Sequence, residues 1–487
     1  MTDHGGLRSA LRALCALSVL IGIGLGALAN RVNRESTSGR QLIAGASPVM
    51  SIRRIPTVLQ TAIGAQSLQD EVSGILAKPD ISGAATTSCV LVTVGRTTVV
   101  RERIDSPVIP ASTLKLLTAT AALSTMDPQT RFRTEVRATK PTIDSVLDGD
   151  LWLVGGGDPL LESAGYTATK KHGLGVATSL DRLADAVAAT GLRSITGGIV
   201  GDDRLFDQIR VVPTWKHSYV GDGEVGPIGG LIVDDNFTVI DSKGRRTAAT
   251  VVGVDAARSF QHLLELRGIA VANSPAAATA TQPAASLVAP TSVALVESIP
   301  LEGVVAEMLR ESDNTTAEAL LKQIGLAGGG EGSSAAGVEA LRRSLKLGGA
   351  KPDELRALHM VDGSGLDRSD NVTCRLLEGT VRDQPESGPL ISGLAVMGQS
   401  GTLRERLRGS AAAGRVKAKT GTLNGVSALV GVTKSTDGRD VAFALVANGL
   451  ASTASGVAAG DALASALVEF PRAPQLTALA PLGGRAS

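Results

Sequence analysis

Three short groups of residues have the side-chain types, the spacing and the order that nucleophilic acyl transfer requires. They occupy residues 112–115 (STLK), 312–314 (SDN) and 419–421 (KTG). An S-x-x-K pattern alone is a weak signal, because a chain of this length contains on the order of one by chance. The other two are rarer, with about one chance match in ten or more such chains. Their joint occurrence in this order makes coincidence a minor explanation.

Ser112 and Lys115 have the spacing of a nucleophile and its base. A serine hydroxyl is a poor nucleophile at neutral pH, and a lysine three residues later on the same helix face can reach it. Because lysine is a base only when it is neutral, we expect burial and the charge of Lys419 to lower the pKa of Lys115. A helix that begins at Ser112 would direct its dipole and a free backbone N–H toward a developing oxyanion.

The second group adds polar side chains to this pair. The Ser312 hydroxyl can relay a proton between Lys115 and a leaving amine, and the Asn314 amide can position Lys115 and a substrate amide. In the third group, Lys419 and Thr420 suit a substrate carboxylate.

The third group leads into a predicted strand, so its backbone also takes part. Gly421 allows a peptide backbone to lie close along that strand, and the Thr422 N–H would complete an oxyanion hole. These features predict a ligand that is an extended peptide, added at a sheet edge and ending in a free carboxylate.

Helix and strand patterns place the three groups on regular elements. Pro110 opens an amphipathic helix that carries the first group. The second group lies between helical stretches at 301–311 and 315–324, and Gly325 is predicted to cap the latter. Strand patterns predict two hairpins, whose turns lie at residues 95–96 and 436–438.

The secondary-structure pattern of the sequence changes between the first and second groups. Short strand-like runs with glycine turns extend from about residue 135 to 285, and one helical stretch (SLDRLADAVAATG) interrupts them. The region closes with a stretch rich in Ala, Thr and Pro (AAATATQPAASLVAPTS), whose low complexity predicts a linker. We therefore expect an insertion in the domain that carries the three groups.

The composition excludes several classes of protein. The 487 residues include 48 basic and 47 acidic side chains, so no strong field attracts a polyanion, and the 6 Phe, 2 Trp and 2 Tyr offer little surface for base stacking. A nucleic-acid partner is therefore not expected. Three cysteines are too few for a disulfide scaffold or a Cys-rich zinc module, and the five histidines lack ligand-like spacing. We predict neither a metal nor a cofactor.

The N-terminus carries an uncharged apolar run at residues 13–29, preceded by Arg8 and Arg12 and ending in an A-x-A pattern. This predicts an export signal over residues 1–29, and an uncleaved anchor is an equal alternative because the run is just long enough to span a bilayer. Either alternative places the bulk of the chain outside the cytoplasm. Residues 30–66 are predicted to be a linker and residues 471–487 a disordered tail.

Cys89 and Cys374 can pair in an oxidising compartment, but their pairing does not follow from the sequence. Two separately buried thiols are the favoured interpretation.

A resemblance to a known family is carried by longer segments around the three groups. These segments are IPASTLKLLTATAAL, LRESDNTTAEALLKQIG, VDGSGLDRSDN, SGTLRERLRGS and RVKAKTGTLNGVSALVGV. They resemble the signatures of D-alanyl-D-alanine carboxypeptidases of the penicillin-binding protein 4 type, peptidase family S13. The resemblance covers about residues 67–470.

The resemblance implies a periplasmic or cell-wall serine enzyme that removes the terminal D-alanine from peptidoglycan stem peptides or cuts D,D cross-links, and that β-lactams acylate. The family's nucleophile and base fall on Ser112 and Lys115. Its second motif falls on Ser312 and Asn314, its third on residues 419–422, and Arg406 matches an arginine near the substrate side chain.

The implied fold is an α/β (α+β) transpeptidase/β-lactamase-like domain, with an antiparallel sheet flanked by helices and a β-rich inserted region. The catalytic domain would comprise residues 67–134 and 286–470, and the insertion residues 135–285. This insertion is shorter than the family leads us to expect, so no substrate contact from it is carried over.

Two other functions share these motifs. A β-lactamase-like hydrolase would need an acid that activates a deacylating water, and the sequence assigns none. A non-catalytic cell-wall-binding protein would retain the motifs as relics. The DGSGLDR segment at 362–368 is interpreted as a structural turn near the site rather than as a catalytic acid and serine.

Overall fold

The computed structural model describes residues 55–78, 81, 87–168, 176–240 and 246–471. The predicted signal or anchor, part of the predicted linker and almost all of the predicted tail lie outside the described residues. Among the residues that are described, no helix combines the length and the apolar character needed to cross a bilayer.

The strands are numbered in chain order. They are β1 (Cys89–Val94), β2 (Thr97–Glu102), β3 (Arg133–Ala138), β4 (Val146–Leu147), β5 (Leu151–Gly155), β6 (Leu161–Glu162), β7 (Thr178–Ser179), β8 (Ser194–Ile195), β9 (Ile199–Asp202), β10 (Phe237–Ile240), β11 (Arg246–Ala248), β12 (Ala270–Val271), β13 (Ala276–Ala277), β14 (Thr291–Glu297), β15 (Ala395–Val396), β16 (Lys417–Leu423), β17 (Val426–Lys434) and β18 (Asp440–Asn448).

The helices are numbered in the same way. They are α1 (Ile55–Leu76), α2 (Lys115–Thr125), α3 (Ala164–Thr167), α4 (Leu180–Ala189), α5 (Ser218–Gly221), α6 (Val252–Glu265), α7 (Ala285–Val288), α8 (Leu301–Glu311), α9 (Asn314–Ala327), α10 (Ser334–Leu347), α11 (Pro352–Ala357), α12 (Cys374–Arg382), α13 (Pro389–Ser392) and α14 (Thr453–Val468). Short 3-10 turns occupy Ala111–Leu114, Asp234–Asn236 and Gly401–Leu403.

Both hairpins predicted from the sequence are present in one six-stranded sheet, with the order β15-β16-β17-β18-β1-β2. Every neighbouring pair in this sheet is antiparallel. The later hairpin pairs Lys434 with Asp440 around its turn, and its second strand pairs with β1, so Cys89 lies opposite Val446. The N-terminal and C-terminal parts of the chain therefore build a single sheet.

Alternating side chains give this sheet two buried faces, as the two-residue period of a strand requires. On β18, Ala444 and Val446 contribute to one hydrophobic core, whereas Phe443 and Leu445 contribute to another. The first core lies against α2, α8, α9, α10 and α12. The second lies against α1 and α14. Because both faces are covered by helices, the central strands are apolar on both sides.

The residues between β3 and β14 build sheets of their own. The largest has the order β13-β9-β5-β3-β14, in which β3 is antiparallel to β5 and β14, and β9 is parallel to β5 and β13. The helices α4 and α6 share its separate hydrophobic core, which includes Leu153, Leu183 and Phe260. The predicted limits of the insertion and of the two catalytic segments stay a prediction.

Two local predictions were wrong. The helix predicted to end at Gly325 continues to Ala327, and Gly328 caps it. A Cβ at Gly325 would lie 2.6 Å from the Glu331 carbonyl oxygen, so this glycine allows a close approach of two segments rather than a helix end. The Ala/Thr/Pro-rich stretch predicted to be a linker contains β13, α7 and the start of β14, because its small side chains, including Ala285 and Ala289, pack against Trp152 and Val200 of the neighbouring sheet.

The two cysteines also differ from their prediction as separate thiols. Cys89 on β1 and Cys374 at the start of α12 form a disulfide, with their Cα atoms 6.0 Å apart. Both are fully buried in the core beneath the central sheet. The pairing depends on the packing of a strand against a helix that begins 285 residues later, which no local pattern reveals.

Candidate active site

The predicted nucleophile and base are in contact where a 3-10 turn runs into a helix. The Nζ atom of Lys115 lies 2.9 Å from the Oγ atom of Ser112. Ser112 is inside the turn, and α2 begins only at Lys115, so the α-helix starts three residues later than predicted. The turn is entered through Ala111, whose φ of +47° is a strained conformation for a residue with a side chain.

Lys115 is fully buried and has two further hydrogen-bond partners. Its Nζ lies 2.6 Å from the Oδ1 atom of Asn314 and 2.8 Å from the carbonyl oxygen of Ser364. Burial lowers the pKa of Lys115 to about 8, and the charges of Asp362 and Glu318 partly oppose this shift. The sequence correctly predicted that burial lowers this pKa, although Lys419 is not among the causes.

The second group lies at the break between α8 and α9, and the geometry of this break positions its side chains. Ser312 has a φ of +64°, and this left-handed residue ends α8. Asp313 then begins α9 by accepting a hydrogen bond from the Thr316 N–H at 2.6 Å. This sharp turn directs Asn314 to Lys115, while the Asn314 Nδ2 donates to the Glu224 carbonyl at 2.8 Å.

The third group lies on β16, where Lys419 points into the site. Its Nζ donates to the Ser312 Oγ at 2.7 Å and to the Thr420 carbonyl at 2.8 Å. Burial lowers the pKa of Lys419 well below its usual value, and the nearby charge of Lys115 lowers it further. The hydroxyl of Thr420 donates to Thr402 at 2.8 Å. Ser312 therefore contacts the lysine of the third group, and Asn314 contacts the lysine of the first.

Gly421 brings β16 against the turn that carries the nucleophile. A Cβ at this position would lie 2.7 Å from the Pro110 carbonyl oxygen and 3.1 Å from the Thr113 nitrogen. The missing side chain thus makes room for the protein's own backbone, whereas the sequence predicted that it makes room for the ligand. The register of β15 covers only residues 417–418 of β16, so the following residues of this edge face the cavity without a strand partner among the described residues.

A cavity of about 700 Å³ opens over the nucleophile. The predicted site residues that line it are Ser112, Ser312, Asn314, Arg406, Thr420 and Thr422. Lys115 and Lys419 lie fully buried beneath them. Arg406 is held at the cavity by an ion pair with Asp461, at 2.8 Å.

Several residues at the site were missed by the sequence analysis. Lys216, Tyr219, Asp222 and Glu224, which lie between β9 and β10, line the same cavity. No motif marks them, because their position depends on how this stretch folds back over the nucleophile. The carbonyl of Ser364 was missed because any residue type can supply a backbone acceptor.

The sequence profile of the D-Ala-D-Ala carboxypeptidase 3 (S13) family matches residues 68–251 and 241–470. The chain belongs to this family. A carboxypeptidase of Mycobacterium tuberculosis is 32% identical over 376 residues, which cover 74% of this chain and 76% of that one. A D-alanyl-D-alanine carboxypeptidase of an Actinomadura species is 28% identical over 89% of this chain and 92% of its own length.

Solved structures bear out the predicted fold class. Penicillin-binding protein 4 of Haemophilus influenzae superposes with a TM-score of 0.66 at 19% identity, covering 82% of this chain and 99% of that chain. The resemblance stated from the sequence segments is therefore confirmed, as is the prediction of a serine-type D-Ala-D-Ala carboxypeptidase acting on peptidoglycan.

Proposed function

We propose that the chain removes the terminal D-alanine of peptidoglycan stem peptides through an acyl-enzyme on Ser112. The observation that carries this assignment is the set of three oxygen atoms around Lys115 Nζ, of which one is the Ser112 Oγ. A neutral amine has two N–H groups and one lone pair. When Asn314 and Ser364 accept the two N–H groups, the lone pair faces the Ser112 hydroxyl.

In the acylation step, the Ser112 oxygen attacks the carbonyl carbon of the penultimate residue while its proton passes to Lys115. The backbone N–H groups of Ser112 and Thr422 receive the oxyanion that forms. The tetrahedral intermediate then collapses, the bond to the leaving D-alanine nitrogen breaks, and that nitrogen takes the proton held by Lys115. The Ser312 hydroxyl, which contacts Lys419 and lines the cavity, is the group at hand to relay this proton.

Deacylation reverses these roles. A water molecule attacks the acyl carbon, Lys115 accepts the water proton, and the Ser112 oxygen leaves and is reprotonated. Thr420, whose hydroxyl lies at the cavity, binds the carboxylate of the substrate, and Lys419 lies buried directly beneath it. The ring amide of a β-lactam acylates the same serine because its carbonyl occupies the same oxyanion site.

The test is covalent labelling with a fluorescent penicillin followed by mass mapping of the labelled peptide. We expect the label on Ser112, no label in Ser112→Ala, and no label in a folded Lys115→Ala protein. Ser392→Ala, which changes an exposed serine on α13, serves as the control and should label normally. Labelling that persists in Ser112→Ala would contradict the assignment, and an active Lys115→Ala protein would identify another base.

The same chemistry extends to D,D-endopeptidase activity when the leaving amine belongs to a cross-linked side chain. Incubation with a pentapeptide and with a cross-linked dimer, followed by mass identification of the products, measures each activity separately. Free D-alanine from the pentapeptide is the expected product. Uncross-linked monomers from the dimer would establish the endopeptidase activity, and an intact dimer would exclude it.

We further propose that the chain is exported by its N-terminal apolar segment and acts in the periplasm or cell wall. The buried Cys89–Cys374 disulfide supports this location, because disulfides persist in oxidising compartments. Fractionation of cells that produce the full chain, with N-terminal sequencing of the product, tests the proposal. A start after residue 29 indicates cleavage of a signal, an intact membrane-bound product indicates an anchor, and a cytoplasmic product would contradict export.

A further inference from the structure

Glu318 is a buried carboxyl group directly behind the base. It lies one helical turn after Asn314 on α9 and is about 1% exposed. The backbone N–H groups of Gly363 and Ser364 both donate to its Oε1 atom, at 3.0 and 2.8 Å. The carbonyl of Ser364 is the group that accepts the hydrogen bond from Lys115.

The following residues of the same turn are held by a second carboxylate. The N–H groups of Gly365 and Asp367 donate to Asp362 at 2.7 and 2.8 Å, and the Trp215 indole N–H donates to it at 2.8 Å. The hydroxyl of Thr118 on α2 donates to the Gly363 carbonyl at 2.7 Å. The peptide between residues 363 and 364 is therefore bound at its N–H by Glu318 and at its carbonyl by Thr118. The Ser364 carbonyl belongs to the next peptide, whose N–H is bound by Asp362, so few orientations remain open to that carbonyl.

We propose that Glu318 is a positioning residue for acyl transfer: by binding both N–H groups it directs the Ser364 carbonyl at Lys115, and so turns the lone pair of Lys115 toward Ser112. This inference rests on the proposed role of Lys115 as the base. Glu318 touches neither Ser112 nor the cavity, so it acts only through the turn and through its charge.

The charge of Glu318 gives the role a second consequence. An ionised Glu318 stabilises the ammonium form of Lys115, whereas Lys419 is not among the groups that shift the pKa of Lys115. Burial raises the pKa of Glu318 to about 8. The other acidic groups whose charges act on Lys115 are Asp362, Asp313 and Glu224. Asp367 and Asp370 are further buried acidic groups close to this turn, and Asp370 is hydrogen-bonded to Asp362.

The experiment separates the hydrogen bonds of Glu318 from its charge by comparing Glu318→Gln with Glu318→Ala. A glutamine oxygen can accept both N–H groups, so we expect Glu318→Gln to be acylated by penicillin within about threefold of the parent rate at pH 9. Because burial raises the pKa of Glu318, the group carries little charge on the acidic limb, so that limb should move only slightly in Glu318→Gln, and toward lower pH. Glu318→Ala should be acylated about 10- to 100-fold more slowly, with an unchanged dissociation constant of the non-covalent complex.

A second variant and a control guard against a loss of folding. Thr118→Val removes the hydroxyl that donates to the Gly363 carbonyl and should slow acylation several-fold. Glu378→Ala removes another fully buried carboxyl group, which accepts from Thr93 on β1 and from Arg382 on α12. We expect it to lower the melting temperature while the acylation rate of the folded protein and its pH profile stay unchanged.

A Glu318→Ala protein acylated at the parent rate would overturn the inference, as would a Glu318→Gln protein acylated as slowly as Glu318→Ala. A parent protein that penicillin does not label at Ser112 would instead overturn the proposed function, and this inference with it. Penicillin labelling of the parent protein therefore shows which of the two proposals has failed.

Discussion

The proposed chemistry depends on Lys115, and the surroundings of this residue explain how a lysine could be a base here. Burial removes water from the ammonium group, while nearby carboxylates limit the size of the effect. The pKa of about 8 leaves a useful neutral fraction near neutral pH. The same lysine remains basic enough to accept the Ser112 proton during attack.

The pH dependence of acylation follows from this pKa. Below about pH 8, the neutral fraction of Lys115 falls about tenfold for each pH unit, so the second-order rate constant for penicillin acylation should fall with it. We expect the rate to rise from pH 6 to about 8 and then to level off, as measured by stopped-flow mixing with a chromogenic β-lactam. A rate independent of pH over this range would exclude Lys115 as the titrating base.

Asp370 carries a prediction for stability. Burial, together with the charge of Asp362 and a hydrogen bond with it, raises the pKa of Asp370 to about 11. The folded state therefore holds a proton that the unfolded state releases above about pH 4, and this contribution makes folding less favourable as the pH rises. Asp370→Asn mimics the protonated form and keeps an acceptor for the Val361 N–H.

We expect Asp370→Asn to have a higher melting temperature than the parent protein at pH 8, with the difference shrinking toward pH 4. Thermal unfolding followed by circular dichroism at the two pH values measures this. A lower melting temperature at pH 8 would show that Asp370 is ionised in the folded protein.

The part of the site that consists of the side chains of the three groups could be predicted from the sequence, whereas the part that consists of backbone groups could not. The roles proposed for Ser112, Lys115, Ser312, Asn314 and Lys419 belong to side chains at characteristic spacings, and the structure brings these side chains together. The Ser364 and Glu224 carbonyls are backbone atoms, which leave no mark in the sequence. Glu318 lay within a segment that carried the family resemblance, yet only the fold reveals that it faces a turn near residue 364.

At the scale of elements, three segments pack closely against the turn that contains Ser112. Gly421 brings β16 against Pro110, and a Cβ at Gly365 would lie 2.0 Å from the Ala111 carbonyl oxygen. The Asn448 side chain accepts from the Ile109 N–H at 2.7 Å and donates to its carbonyl at 3.0 Å. The strained turn persists because the packing around it leaves no alternative.

Gly421→Ala tests this close packing. The added methyl group meets backbone atoms on the nucleophile's turn, so β16 and the turn must separate. We expect penicillin acylation about 10- to 100-fold slower than in the parent protein, with the fold retained. Gly379→Ala is the matched control, because nothing lies within 4 Å of its added Cβ on α12, and it should be acylated at the parent rate.

The prediction of elements succeeded where the signal was local. Both hairpins have turn residues between apolar runs, and each is present where it was expected. Gly325 was misinterpreted because a glycine that ends a helix and a glycine that admits a neighbouring backbone are identical in sequence. The stretch rich in Ala, Thr and Pro was misinterpreted because small residues suit both a linker and a tightly packed sheet edge.

At the scale of the molecule, the Cys89–Cys374 disulfide ties the first strand of the central sheet to α12. It closes a loop that includes α2, the sheets between β3 and β14, and the second group of site residues. Closing a long loop restricts the unfolded chain strongly, which is how a disulfide stabilises a fold in the chain-entropy description.

We expect the double variant Cys89→Ala/Cys374→Ala to lose about 3–5 kcal/mol of unfolding free energy. Urea denaturation with and without the disulfide measures the difference, and penicillin labelling of the folded fraction should be retained because neither cysteine contacts the site residues. An unchanged urea midpoint would show that the bond is absent from the folded protein in solution.

The pairing of β1 with β18 also affects how the chain can fold during its synthesis. The β1–β2 hairpin is synthesised early, but the strand that covers its apolar edge includes Val446 and is synthesised near the end. Until then the hairpin presents an unpaired edge, which invites association with other chains. Such distant pairings also slow folding. A nascent chain of this protein therefore needs protection of that edge throughout synthesis, and its yield should depend on holding chaperones more than on the stability of the finished fold.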